Sequence, residues 1–547
     1  MKTLKNVAIC CLSACFTLSM FAGCGGKEDA ANNYSNAIAH VTVDNDSDLS
    51  GTLDIMAVDM GYGISMFEAL ELGFEKKYPN VEVNLKTNVL VDKVVQENYL
   101  TPKNLRYDLF FNTNETDILS KLHTSIIPGY PIMFAELDDV YNAIPKGETV
   151  AIKDKMIEGY AESYQYENGH YYTMDWATGL GSLYYNVDKF AEQGYEVPVT
   201  SDDLYRLCLE IKADKLMPFI VTETEYWHMQ YYAFWAQYEG LDEYKNYHNG
   251  IDSETGKVSR YVVNQAGRLR ALEAIEEYLD YGAGFTTVDS QNQTYMANQS
   301  DFFKGEALMY YAGSWLENEM SELYPDGAND TLDVINNLVC SAVSEKLSYY
   351  EDGETDFYSL SDEKRVAYDA KLKEVLAYIK DEKTGTAPTF VNADDIAYLE
   401  EIVAYRPLCS GHVANIPAYA NDVELAKAFL VFMYSNEGIE VYSKSGAPSI
   451  LPVKGGMFVN DTDTRAEKTV KAQYQAGFTP VPQIQTTKLC YLGGFSALGE
   501  YVTLEAQFGK HNVADRMTAQ EIFDALVRKY TNETNWNDIL KNAGYID

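Results

Sequence analysis

The sequence predicts an α/β protein with more than one domain, and three observations carry that reading. A chain of 547 residues with 46% hydrophobic content exceeds one core, so two domains of ordinary size, or two plus an insertion, are expected. Near its start the chain alternates strand, helix and strand patterns with short turns, as a βαβ unit does. A second region rich in the same alternation opens near Thr178.

The elements follow in order. Lys2 and Lys5 precede an uncharged, mostly apolar stretch, Val7 to Ala22, too short and too early to span a membrane, so it reads as an export signal. Phe21 Ala22 Gly23 Cys24 resembles a lipobox, although Leu is more usual where Phe21 stands. Residues 1–23 are therefore expected to be removed, Cys24 to carry a lipid anchor, and residues 24–50, polar and opening on Gly25 and Gly26, to be a flexible tether. Leu53 to Val58 has strand composition. Ser65 opens a helical pattern through Phe67, Leu70 and Phe74 that stops at Tyr78 Pro79 Asn80, and Val81 to Leu85 alternates as a strand. Tyr107 to Phe111 is a further apolar strand ending in polar Asn112 Thr113 Asn114. Loops in that position, at the carboxyl ends of parallel strands, are where open α/β sheets bind ligands. Beyond Thr178, Ser201 is expected to cap a helix with Asp202 and Asp203 in its first turn and Leu204, Leu207, Cys208 and Ile211 on one face. Leu269 to Leu279 and Asp422 to Met433 repeat that spacing. Glu319 to Asp395 is charged and irregular around a helical core near Asp362 to Lys383, and reads as an insertion.

Composition excludes several function classes. Lys and Arg total 43 against 82 Asp and Glu, a net charge of −39 that repels nucleic acid and anionic lipid. The 44 tyrosines suit surfaces that grip polar ligands by their apolar faces, although many must be core. Beyond the signal and the anchor, Cys208, Cys340, Cys409 and Cys490 are widely spaced without CxxC, so no zinc site is indicated, and Cys208 on an apolar stripe reads as a buried free thiol. No GxSxG, GxxxxGK or HExxH occurs, and Gly179 Leu180 Gly181 lacks the third glycine of a dinucleotide loop. The acidic run Asp44 to Asp48 lacks the glycine and glutamate spacing of a calcium loop. Neither a metal nor a cofactor is expected.

Five ordered segments remain: Gly73 to Val83; Tyr107 to Phe111; Asn168 Gly169 His170 Tyr171 Tyr172 with Trp176, Leu183 Tyr184 Tyr185 Asn186, Gly194, Pro198 and Thr200; Phe303 to Met309 with Gly313 Ser314 Trp315; and Ala426 to Leu430 with Ser435, Gly438, Gly446, Ala447, Pro448 and Pro452. Taken in this order they resemble the family 1 extracellular solute-binding proteins of ABC importers, the group that includes the maltose-binding protein. Ser201 departs from that pattern, which commonly has Trp there.

The resemblance implies an α/β, two-lobe periplasmic-binding-protein-like fold of class II, with a hinge and an interlobe cleft. Lobe one would comprise 51–175 plus 304–318, lobe two 176–303 plus 405–547, and the lobe of 319–395 is left open. It also implies a receptor rather than an enzyme, a monomer tethered through Cys24 outside the cytoplasmic membrane. That receptor would capture a small polar solute, an oligosaccharide above others, and deliver it to permease subunits. Carried onto this chain, the ligand-binding residues would be Tyr62, Asn112, Asn114, Asp175, Trp176, Glu225, Tyr226, Trp227 and Trp315, with Tyr491 and Phe495 as weaker candidates. Rings would stack on apolar sugar faces while polar side chains bond hydroxyls. Three other readings stay open: a surface glycoside hydrolase using carboxylates such as Asp175, Glu223 and Glu225, a receptor for a non-sugar solute, and a structural lipoprotein.

Overall fold

A computed structural model describes residues 48–546 except 102–105, 114–132, 167, 222–226, 288–289, 291–292, 322, 325–329, 336–337, 354, 410–411, 456–457, 462, 483–486, 492 and 496–515. The expected signal, tether and anchor at Cys24 lie outside the described residues, as do Asn114, Glu223, Glu225 and Tyr226. Among those described, no helix is long and apolar enough to cross a membrane.

The early βαβ pattern forms as expected. Strand β1 (Ser50–Val58) pairs in parallel with β2 (Asn80–Asn88) and with β3 (Leu109–Phe111). The helix Ser65–Lys77 covers them, burying Phe67, Leu70 and Phe74. Strand β4 (Met174–Asp175) completes this first sheet only through β12 (Val413–Asn415), which lies antiparallel between β3 and β4. The second sheet is built on β5 (Gly179–Asn186). Its order is β13 (Thr479–Val481), β11 (Tyr405–Cys409), β5, β9 (Met309–Gly313) and β6 (Phe219–Ile220), with β10 (Leu332–Ile335) also on β5. Strands β7 (Ile251–Asp252) and β8 (Lys257–Val258) form a separate hairpin.

Two corrections to the expected lobes follow from pairing. Residues 304–318 do not join lobe one: β9 registers Gly181 against Gly313 and Tyr185 against Met309, inside the second sheet. Residues 405–547 do not all join lobe two. After β11 the chain recrosses as β12, and the helices Val423–Met433 and Asn436–Lys444 pack on Ser65–Lys77, where Phe74 meets Phe429 at 5.0 Å and Phe432 at 5.5 Å. The chain therefore passes between lobes at Trp176–Thr178 and again before His412, and returns once more to reach the helix Arg465–Ala476, which packs on β10.

The 319–395 stretch belongs to lobe two. Its strand β10 extends the second sheet, and its helix Asp362–Lys380 packs on Ser201–Ala213. That docking is ionic at its centre. Arg365 forms a fork on Glu277, with Nη2 to Oε2 at 2.8 Å, and also reaches the fully buried Asp202, which Arg206 Nε holds from the other side at 2.7 Å. The N-cap of Ser201–Ala213 is Thr200, whose hydroxyl accepts from Asp203 N at 3.1 Å, one residue before the expected Ser201. Ser201 instead uses its hydroxyl to accept from Ser341 N at 2.9 Å, tying the stretch to the lobe. The helix Trp227–Glu239 is buried on nearly every residue and forms the centre of lobe two, as a helix apolar all round must. Cys208, Cys340 and Cys490 are buried, and Cys490 Sγ lies 3.5 Å from the His248 carbonyl.

Candidate functional site

Strand direction brings most of the candidate residues to one place. In the first sheet β1, β3 and β4 run in the same direction, so the residues after them, Tyr62, Asn112 and Trp176, emerge at one edge. His412 joins them because it precedes the antiparallel β12. In the second sheet β6 and β9 run together, and β9 ends where β5 begins and β11 ends, which puts Ser314 and Trp315 on the edge beside Gly179. Two crossing segments hold these edges together: Trp176 N donates to His412 O at 2.9 Å, and Thr178 N to Ile450 O at 2.8 Å.

Four rings from both lobes meet there. Tyr62 lies edge-on to Trp315 at 4.6 Å, to His412 at 5.1 Å and to Trp176 at 5.9 Å, and His412 contacts Trp176 at 5.6 Å and Trp315 at 6.1 Å. The lobes also touch directly, with Asn318 Nδ2 donating to Gly61 O at 2.7 Å. Glycine makes this approach possible. A Cβ on Gly179 would stand 2.8 Å from Tyr62 Oη and 3.0 Å from Trp315 Cζ3, and one on Gly61 would stand 2.8 Å from Trp315 Cδ1.

Below the rings runs a polar layer. Tyr99 Oη donates to Asn415 Oδ1 at 2.7 Å, Asn415 Nδ2 donates to Asn112 Oδ1, and the Asn112 carbonyl accepts Trp176 Nε1 at 3.0 Å. Asn112 Nδ2 and His412 Nδ1 are buried with no hydrogen-bond partner among the described residues. Burial pushes the His412 imidazole down to about 4, so it is neutral at neutral pH. On the second lobe Trp227 Nε1 is likewise buried without a partner among the described residues.

The candidates differ in kind. Trp176 is fully buried, packed also on Phe67 at 4.9 Å and Phe111 at 6.3 Å, and acts as the root of the outgoing crossing. Asp175 is fully buried, accepting from Tyr160 Oη and, at 3.2 Å, from Tyr164 Oη. Tyr62 and Trp315 keep 5% and 6% exposure between the lobes, which marks them as the rings that separate if the lobes part. The side chain of Tyr491 lies outside the described residues, and Phe495 packs in the core of lobe two against Tyr247, Tyr530 and Trp536. His412 was not legible as a site residue. Its only sequence signal is its place just before the strand Val413–Asn415, and nothing local marks that strand as the return crossing.

Residues 110–334 match the model of a family described as bacterial extracellular solute-binding protein. A curated relative, the multiple sugar-binding protein of Streptococcus mutans, is 38% identical over 73 residues, 13% of this chain and 17% of that protein's length. Solved structures match over nearly their whole length. The maltose-bound T. maritima MalE3 superposes with a TM-score of 0.53 at 13% identity, over 88% of this chain and 98% of that one. A probable secreted solute-binding lipoprotein from Streptomyces coelicolor gives 0.54 at 12%, over 88% and 98%. At these identities the likeness is one of fold: two α/β lobes joined by crossing segments.

Proposed function

We propose that this chain, which carries the bacterial extracellular solute-binding signature over residues 110–334 and the two-lobe fold of such proteins, is an extracytoplasmic receptor that takes a neutral oligosaccharide into its interlobe cleft and delivers it to an ABC importer permease. The observation that carries the reading is the convergence of strand-end loops from both lobes on Tyr62, Trp176, Trp315 and His412. A solute held between such edges touches both lobes only when they close, so binding shifts the population towards the closed state and presents one joined surface to a partner. The proposed ligand-binding set is Tyr62, Asn112, Trp227 and Trp315, with Asp175 and Trp176 holding the floor; Asn114, Glu225 and Tyr226 of the expected set lie outside the described residues. Aromatic rings and uncharged amides suit sugars, which offer apolar faces and many hydroxyls. The sugar-binding Streptococcus mutans relative and the maltose-bound T. maritima neighbour support that ligand class. The lipoprotein among the neighbours supports an anchor at Cys24, which membrane fractionation of a Cys24→Ala variant tests. Hydrolysis finds less support: Asp175, the one described member of the candidate carboxylates, is sealed beneath Tyr160 and Tyr164.

The test is a melting screen of the full chain against maltose, maltotriose, raffinose, cellobiose and xylotriose, with amino acids, a tripeptide and spermidine as non-sugar arms. A cognate sugar at 100 times its dissociation constant stabilises the protein by about 2.7 kcal/mol. Stabilisation by a non-sugar arm alone would refute the sugar assignment, and release of products from the bound sugar would refute the receptor reading.

A further inference from the structure

We infer that His412 is a ligand-contacting residue of the cleft, offering an imidazole nitrogen to a hydroxyl of a neutral solute. This rests on the receptor reading and adds to it a residue that the motifs did not supply. Position is the first argument. His412 stands on the return crossing, and its carbonyl accepts from Trp176 N on the outgoing one at 2.9 Å, so it belongs to the floor that both lobes share rather than to either moving wall. Rings from both lobes converge on it: Tyr62 and Trp176 from the first sheet's edge, Trp315 from the second.

The second argument is the cost of an unpaired nitrogen. His412 Nδ1 is buried with no hydrogen-bond partner among the described residues. Leaving such a group unsatisfied carries the full cost of its desolvation, which a phenylalanine of nearly the same shape in this aromatic nest would avoid. A role in packing alone therefore favours Phe, and a role in binding explains His. Parting the lobes would uncover the nitrogen, and a hydroxyl of an entering solute would satisfy it on closure.

The third argument is chemical class. Burial alone accounts for the low imidazole pKa, so the ring stays neutral through the physiological range. A neutral imidazole carries one N–H donor and one acceptor nitrogen, and a hydroxyl both donates and accepts, so the pair is matched in either tautomer. A carboxylate or phosphate would instead meet an uncharged ring in a chain of net charge −39. Asn112 Nδ2, buried in the polar layer under Trp176 and likewise without a partner among the described residues, offers a second uncharged donor on the same floor.

The test compares wild type with His412→Phe and His412→Gln, first by melting without solute, then by calorimetric titration with the tightest-binding sugar of the panel above. His412→Phe should melt at or above the wild-type temperature and bind that sugar about tenfold or more weakly. His412→Gln, which keeps a donor and an acceptor, should recover part of the affinity. Equal affinity in a stably folded His412→Phe protein overturns the inference while leaving the receptor reading in place. A solute-free melting point several degrees lower in His412→Phe also overturns it, because the nitrogen then has a structural partner. If the wild type binds no sugar of the panel, the oligosaccharide reading itself falls and takes the inference with it.

Discussion

Trp176→Ala should destabilise the protein by about 3–5 kcal/mol without solute, read as a shift of the urea midpoint of the lobe-one transition. The indole is fully buried, touches Phe67, Phe111, Tyr62 and His412, and donates from Nε1 to the Asn112 carbonyl. Truncation removes the largest side chain at the point where β4 leaves the first sheet, and the glycine-lined approach of the lobes above leaves little slack to fill the void. It also strands the Asn112 carbonyl. Trp176→Phe separates the two losses: most of the packing stays and only the hydrogen bond goes, so about 1–3 kcal/mol should be lost. A Trp176→Ala protein as stable as wild type would mean that this ring is a platform exposed to ligand and not the root of the crossing.

Arg365→Ala should cost a comparable amount, about 3–5 kcal/mol, and the damage should be confined to lobe two. The guanidinium bridges Glu277 and Asp202, and lies over the rings of Phe357 and Tyr358 at 5.4 and 5.3 Å. Glu277 is mostly buried and its carboxyl is already raised by burial, while Asp202 has no exposed surface, so removing the cation leaves Glu277 without its fork and Asp202 with Arg206 alone, both poorly solvated. The remaining cation, Arg206, hydrogen-bonds Asp202 and Asp362. Limited proteolysis should then release the 340–403 region first, since Ser341 and the helix Asp362–Lys380 dock through this network. A double variant, Arg365→Met with Glu277→Met, should recover most of the loss, because an apolar replacement carries no desolvation penalty. If the single variant unfolds no more readily than wild type, the stretch is not anchored through Arg365.

The sequence made the local elements legible and left their partners hidden. Leu53–Val58, Ser65–Lys77 and Val81–Leu85 were readable because each carries its own periodicity, and adjacent segments pair directly. The segments that hold Met309–Gly313 and Val413–Asn415 were expected in the wrong lobes, because composition does not say which sheet an isolated strand joins. Pairing partners more than 100 residues away decide that: Gly313 meets Gly181, and Ala414 meets Phe111. The 319–395 stretch was readable as additional and charged, but its docking depends on Arg365 finding Asp202 163 residues earlier. At the site the motifs pointed to the right loops without distinguishing a hinge root from a cleft wall. Trp176 and Trp315 both follow strands and have similar neighbours, and only the packing of Phe67 and Phe111 on one of them separates their roles. His412 was missed because a lone histidine acquires meaning from Tyr62 and Trp315, which come from opposite lobes.

Small-angle scattering of the full chain, recorded without solute and at saturation with the tightest-binding sugar of the panel, tests the central claim most directly. Two lobes joined by crossing segments, with Tyr62 and Trp315 meeting between them as rings that separate when the lobes part, predict a smaller radius of gyration in the saturated protein than in the free one. A radius that stays the same at saturation would contradict capture by lobe closure.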